Sequence, residues 1–135
     1  MPRARLAVAA ALLLTLAVPA AAKEGVRATL NAPVDIGAAP GTFVSVDWDL
    51  ADAEGNAFGA GGIYLRVKRC GKRRPLRIPA REVAHGRYAA GFDVPRRGIR
   101  RITVGLKGWR MYPSGRRERA DATFRFGPPL RRRCR

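Results

Sequence analysis

Two alternating runs, residues 42–50 and 63–69, constrain this chain more than any other feature. In TFVSVDWDL, Val44, Val46, Trp48 and Leu50 fall on one side and Ser45, Asp47 and Asp49 on the other. In IYLRVKR, Ile63, Leu65 and Val67 oppose Tyr64, Arg66 and Lys68. A period of two marks half-buried antiparallel strands. Between the runs, Asp52-Ala53-Glu54-Gly55-Asn56 is turn chemistry, because Gly and Asn accept positive φ. The glycine-rich residues 59–62 permit a bulge or a second tight bend. Every other strand must extend this apolar face or pack on it.

Further segments follow the same rule. Residues 26–30 alternate as a first strand, and residues 31–41, broken by Pro33 and Pro40, connect it to the second. Residues 71–79 form a basic loop with a short edge strand over 76–78, held between prolines. Residues 81–85 are too short to assign. Tyr88, Ala90, Phe92 and Val94 face inward from a strand that Pro95 ends. Ile102, Val104 and Leu106 do so from a strand over 99–109, and Tyr112-Pro113-Ser114-Gly115 reads as a hairpin-type loop. Ala122, Phe124 and Phe126 line the last strand, which Gly127-Pro128-Pro129 closes. Six or seven short strands without a helical period predict an all-β fold, a sandwich of antiparallel strands, with a small open barrel as the competing arrangement. Val46, Trp48, Leu65, Val104 and Phe124 are expected to be buried together, and a Trp of this pattern belongs between the sheets.

The first 22 residues read differently. Pro2-Arg3-Ala4-Arg5 is a basic start, residues 6–18 are apolar apart from Thr15, and Pro19-Ala20-Ala21-Ala22 supplies a breaker and small residues. This is the layout of a secretory signal peptide cut after Ala22. The alternative is an uncleaved anchor, but the run falls short of the roughly 18 to 20 apolar residues a spanning helix needs. The expected organisation is a signal peptide over 1–22, one sandwich domain over 23–126 and a basic C-terminal tail over 127–135, secreted to the periplasm or beyond. No transmembrane segment is expected in the mature chain. Of the 27 basic residues, Arg3 and Arg5 leave with the signal, so 25 stand against 10 acidic ones, a net charge of +15. Such a balance follows either from GC-rich codon bias or from selection for an anionic partner.

Export gives the two cysteines a role. Cys70 and Cys134 are expected to form an intramolecular disulfide, the alternative being a mobile tail with a free thiol or a bond between chains. Two cysteines and a single histidine, His85, are too few for a structural zinc site.

The punctuation of the chain carries a resemblance. Ala39-Pro40-Gly41 precedes the strand with Val46-Asp47-Trp48. Asp52-Ala53-Glu54-Gly55-Asn56-Ala57-Phe58 follows it, and Gly86-Arg87-Tyr88-Ala89-Ala90 precedes Val94-Pro95. Residues 26–126 resemble bacterial secreted immunoglobulin-like domains, in rhythm the YtkA-like group. The resemblance implies an immunoglobulin-like β-sandwich of six or seven antiparallel strands. Some members of that broad group are linked to copper handling, but this chain lacks the histidine and methionine clusters such a role uses.

Candidate sites are few. A hydrolytic triad needs a nucleophile, a base and an orienter in reach. After residue 22 the chain offers only Ser45, Ser114 and His85, and no motif surrounds His85, so no enzyme is expected. Asp47, Asp49, Asp52 and Glu54 concentrate carboxylates as a weak calcium candidate, without the EF-hand glycine; the plainer reading pairs them with Arg66 and Lys68. No cofactor is expected. The basic clusters supply the anion-binding candidates: Lys72, Arg73 and Arg74; Arg96 and Arg97; Arg116 and Arg117; Arg131, Arg132 and Arg133. They are either a solvated surface or an attraction to an anionic envelope polymer or lipid headgroups. Tyr64, Trp109 and Tyr112 are expected as exposed aromatics among them. Nucleic acid is not expected, since no recognition helix or stacking motif is visible. The chain therefore reads as an exported non-catalytic binding or structural module at the cell envelope; the alternative is an extracytoplasmic metal-handling accessory domain.

Overall fold

The structure is a computed structural model that describes residues 25–135, so the expected signal peptide lies outside the described residues. These residues form no helix and build two facing antiparallel sheets, a β-sandwich. The first sheet has the order β1-β2-β6-β5: β1 Arg27–Leu30, β2 Phe43–Ala51, β5 Arg81–Ala84 and β6 Arg87–Asp93. The second has the order β10-β7-β3-β4: β3 Ile63–Arg69, β4 Leu76–Pro79, β7 Ile99–Leu106 and β10 Ala122–Phe124. Strand β11, Leu130–Arg131, also pairs with β7. Strands β8 Trp109–Met111 and β9 Arg117–Arg119 make a separate hairpin.

The apolar half of each alternation fills the space between the sheets. Val44, Val46, Trp48 and Leu50 of β2 face Ile63, Leu65 and Val67 of β3 and Ile102, Val104 and Leu106 of β7 in one buried cluster. Trp48 lies opposite Tyr88 in register, stacks on it at 6.0 Å, and meets the Phe126 ring edge-on at 6.0 Å. Aromatic pairs at such spacing add to burial. All five residues expected at the centre are in this cluster.

Four local expectations change. Residues 81–84 are a strand, the edge of the first sheet, with every residue exposed; nothing in their alternation marks an inward side. The strand begun at Ile99 stops at Leu106, and Trp109 opens the separate hairpin. Tyr64 points outward yet is buried to 2% exposure, because its ring lies flat on Gly105 and Arg77 covers it at 5.5 Å. A Cβ on Gly105 would stand 2.2 Å from that ring, so only glycine admits it. Finally, the basic tail expected after Phe126 contains a strand. Phe124 pairs with Val104 and Leu130 with Ile102, so β10 and β11 are one edge strand interrupted by residues 125–129. The interruption crosses to the first sheet, where Phe126 bridges Ala28 and the Gly127 amide donates to the Ala28 carbonyl at 3.1 Å.

The chain end is also covalently tied: Cys70 and Cys134 form a disulfide with their Cα atoms 5.6 Å apart. A closed disulfide suits an oxidising compartment. Residues 25–135 thus hold both sheets, a complete core and the crosslink. Among the described residues no helix is long and apolar enough to cross a membrane.

Candidate anion-binding surface

Filling the core with one half of each alternation forces the other half outward, and on the second sheet that half is cationic. Strand β3 presents Arg66 and Lys68, β4 presents Arg77, β7 presents Arg101 and β11 presents Arg131. The register sets them side by side. Lys68 lies directly opposite Arg101, which lies directly opposite Arg131, while Arg66 lies opposite Arg77. Arg125 joins the same hollow as Arg66, Arg77 and Arg101. Directly opposed side chains start about 4.5 to 5.5 Å apart at Cβ, and like charges there oppose pairing. Each such pair costs up to about 1 kcal/mol in water-like surroundings, and more where the charges are partly desolvated. Arg66, Lys68 and Arg101 are half-buried.

One acid, Asp121, meets this face, and it leaves most of the cations unpaired. The ion pairs among the described residues are Arg77–Asp121 at 3.5 Å, Arg119–Asp121 at 3.2 Å and Arg87–Asp47 at 3.0 Å. Arg66, Lys68, Arg101, Arg125 and Arg131 join none of them. Asp121 also accepts from the Tyr64 hydroxyl at 2.6 Å and the Gly108 amide at 3.3 Å. Burial would raise its pKa, but the Tyr64 hydrogen bond, Arg119 and the Gly108 amide outweigh that and hold it at about 2. It stays ionised and already engaged.

The surface continues around the disulfide. Arg101 and Arg131 belong both to the sheet face and to an open groove formed by Gly71, Arg100, Arg132, Arg133 and Cys134. Arg132 is anchored there: its Nε donates to the Ile99 carbonyl at 2.9 Å. Its guanidinium lies where a Cβ on Gly98 would come within 2.5 Å, and Gly98 itself has φ 80°. Lys72, Arg96 and Arg97 share an adjoining hollow with Arg69 and Pro95. Arg74 offers its carbonyl to Arg69 at 3.2 Å, and Arg73 is exposed in the same loop. Of the expected anion-binding residues, Arg131 to Arg133 and the 72–74 and 96–97 groups are therefore gathered at one end of the sandwich. Arg116 and Arg117 are not. They sit on the β8–β9 hairpin beyond Leu106, the far end of β7, which spans about 26 Å at the strand rise. There Arg116 covers Tyr112 at 4.6 Å and Arg117 covers Trp109 at 5.4 Å. Trp109 is exposed as expected and Tyr112 half-buried, whereas Tyr64 is not an exposed aromatic.

Sequence reading located the basic loops but missed the sheet face. The signal was present in the outward set Arg66, Lys68 and Arg101, yet only the strand order places Lys68, Arg101 and Arg131 in one row.

The acidic cluster takes other work. Asp47 binds Arg87 and accepts from Asn31 at 2.7 Å, and Asp49 accepts from the same Asn31 at 3.2 Å. Arg87, and then Asn31, hold the Asp47 carboxyl below its ordinary pKa. Asp52 caps its own turn, accepting from the Glu54 and Asn56 amides at 3.0 and 2.9 Å. The calcium candidate Asp47, Asp49, Asp52 and Glu54 is thus divided between a strand face and a turn. Among the described residues no group of three or more His, Cys, Asp or Glu side chains could hold a metal ion. The expected pairing with Arg66 and Lys68 also fails, because those lie on the other sheet. His85 sits in the β5–β6 turn against Gly59, while Ser45 lies opposite Gly91, about 20 Å further along β6.

Compared with protein-family models, with curated proteins and with solved structures, the chain matches none.

Proposed function

We propose that this protein is an exported, non-catalytic β-sandwich module that binds an anionic surface of the cell envelope through the outer face of its second sheet. The observation that carries the reading is the row Lys68–Arg101–Arg131: three cations directly opposed across adjacent strands, none in an ion pair among the described residues. Such a row costs stability in the free protein, and a bound polyanion reverses the sign. Export is supported by the layout of residues 1–22 and by a disulfide that an oxidising compartment would keep closed. An immunoglobulin-like arrangement is supported by strand order. β1-β2-β6-β5 against β10-β7-β3 follows the A-B-E-D and G-F-C sheets of a constant-type domain, with β4 added beside β3. A non-catalytic role is supported by the distance between His85 and Ser45.

The test is co-sedimentation of residues 25–135 with anionic and with neutral vesicles, and with polyphosphate-coated beads. Retention on the anionic supports is expected at about 10 mM salt. It should fade towards about 100 mM, as the Debye length falls from about 30 to about 10 Å. The variant Lys68→Gln/Arg101→Gln/Arg131→Gln should bind more than about tenfold more weakly, at about 1 kcal/mol per cation near an anionic surface. Equal retention on neutral vesicles, or an unchanged affinity of that variant, would refute the reading.

A further inference from the structure

We infer that the β8–β9 hairpin is an interfacial finger, which places Trp109 and Met111 in the headgroup boundary of an anionic bilayer while Arg110, Arg116 and Arg117 take its phosphates. The inference rests on the proposed binding of an anionic envelope surface and names a lipid bilayer as that surface.

Every residue of β8 and β9 is exposed. A two-stranded ribbon with no third strand or helix against it is marginal in water. This one is fixed at its base: the Ala120 amide donates to the Gly108 carbonyl at 3.0 Å, and Asp121 accepts from the Gly108 amide and from Arg119. Trp109 and Met111 are two residues apart and so share a face, each 61% exposed. The register sets Arg119 opposite Trp109 and Arg117 opposite Met111. The one acid of the hairpin strands, Glu118, accepts the Tyr112 hydroxyl. A ribbon that carries Trp, Tyr and Met within a frame of four arginines has the chemistry of the membrane interface. There aromatic rings settle at headgroup depth and each cation is drawn to anionic lipid.

Two other occupants are less suited. A second copy would bring four arginines against four on a mature chain of net charge +15. A hydrated phosphate polymer would meet the cations but offer no apolar phase to Met111. The hairpin is also continuous with the cationic sheet, because Asp121 holds Arg77 of that face and Arg119 of the hairpin together.

Tryptophan emission reads the insertion directly. The chain has two tryptophans, and Trp48 is sealed in the core at 0% exposure, so a change on binding reports Trp109. Residues 25–135 are mixed with vesicles of phosphatidylglycerol and phosphatidylcholine, with phosphatidylcholine alone, and with soluble polyphosphate. On the anionic vesicles the emission should move to shorter wavelength and become shielded from acrylamide, and Trp109→Ser should abolish the shift. Trp109→Ser/Met111→Ser should keep the melting temperature and lose about tenfold in vesicle affinity, the worth of the apolar area withdrawn. Its affinity for polyphosphate should be unchanged. Binding to the vesicles with unshifted, quencher-accessible emission would overturn the finger and leave the proposed function standing. Binding to polyphosphate but to no vesicle would do the same. No binding to either anionic probe would overturn both.

Discussion

Asp121 shows how one side chain joins three parts of the molecule. It is 12% exposed, between Tyr64 of β3, Arg77 of β4 and Arg119 of the hairpin. Its neighbours prefer the carboxylate strongly enough to overcome burial, so its pKa in the fold is about 2 against an ordinary 3.8. A folded-state pKa below the unfolded one contributes stability that is complete above the unfolded value and lost as pH falls towards the folded one. The gap corresponds to about 2 kcal/mol. Asp121→Asn should therefore be less stable than the wild type by about that amount at neutral pH, and the deficit should close between about pH 4 and pH 2. Denaturant midpoints of both proteins across that range are the measurement. A deficit that stays constant down to pH 2 would mean that packing, not charge, supplies it. The same carboxylate, after burial itself, pushes the Tyr64 hydroxyl above its ordinary pKa, so the pair keeps a neutral donor and a charged acceptor at every physiological pH.

At the scale of elements, what could be read from the chain was whatever repeats every two residues. Strands β2, β3, β6, β7 and β10 each carry apolar residues on one side, and burial of that side was legible. Strand β5, Arg-Glu-Val-Ala, has no inward side, and β11 is two residues long with Leu130 alone buried, so neither carries a period to read. The burial of Tyr64 escapes the sequence for a related reason: it comes from a glycine directly opposite on the neighbouring strand and from a covering arginine, contacts that no periodicity encodes. The cationic row lay half in view, since outward residues were assigned but strand order was not. The disulfide was legible from the expected export of a chain with two cysteines, and its consequence falls on β11. It closes 64 residues of chain. On the chain-entropy account that contributes about 4 kcal/mol through the unfolded state. Cys70→Ser/Cys134→Ser should lower stability by an amount of that order and release β11 first. Amide exchange at Leu130, Arg131 and Arg132 should then speed up more than exchange at Ile102 and Val104. Equal acceleration at all of these sites would show that β11 is held by its own hydrogen bonds and not by the crosslink.

For the molecule as a whole, the question is whether its charge is scattered or sorted. Codon bias would distribute arginine without regard to face. The outer side of the first sheet carries Asp47, Asp49 and Asp93 beside Arg27, Arg81 and Arg87, a mixed surface with its own ion pair. The outer side of the second sheet carries Arg66, Lys68, Arg77, Arg101, Arg125 and Arg131 against Asp121 alone. The two faces belong to one gene and one codon usage, so their difference calls for a cause at the level of the fold. Sorted charge also has a thermodynamic signature. Simple salt should raise the melting temperature between about 10 and 100 mM, because it screens the repulsion within the row. A polyvalent anion bound only by the folded state adds a term that grows with its logarithmic concentration. At matched ionic strength, polyphosphate should therefore raise the melting temperature beyond chloride. The excess should shrink in Lys68→Gln/Arg101→Gln/Arg131→Gln, although that variant should itself be more stable than the wild type in low salt. Thermal melts of the two proteins in the two salts decide it. If polyphosphate and chloride act alike, or if the variant gains nothing in low salt, the row is too well solvated to strain the fold or to hold an anion, and the charge of the second sheet has no more meaning than its codons.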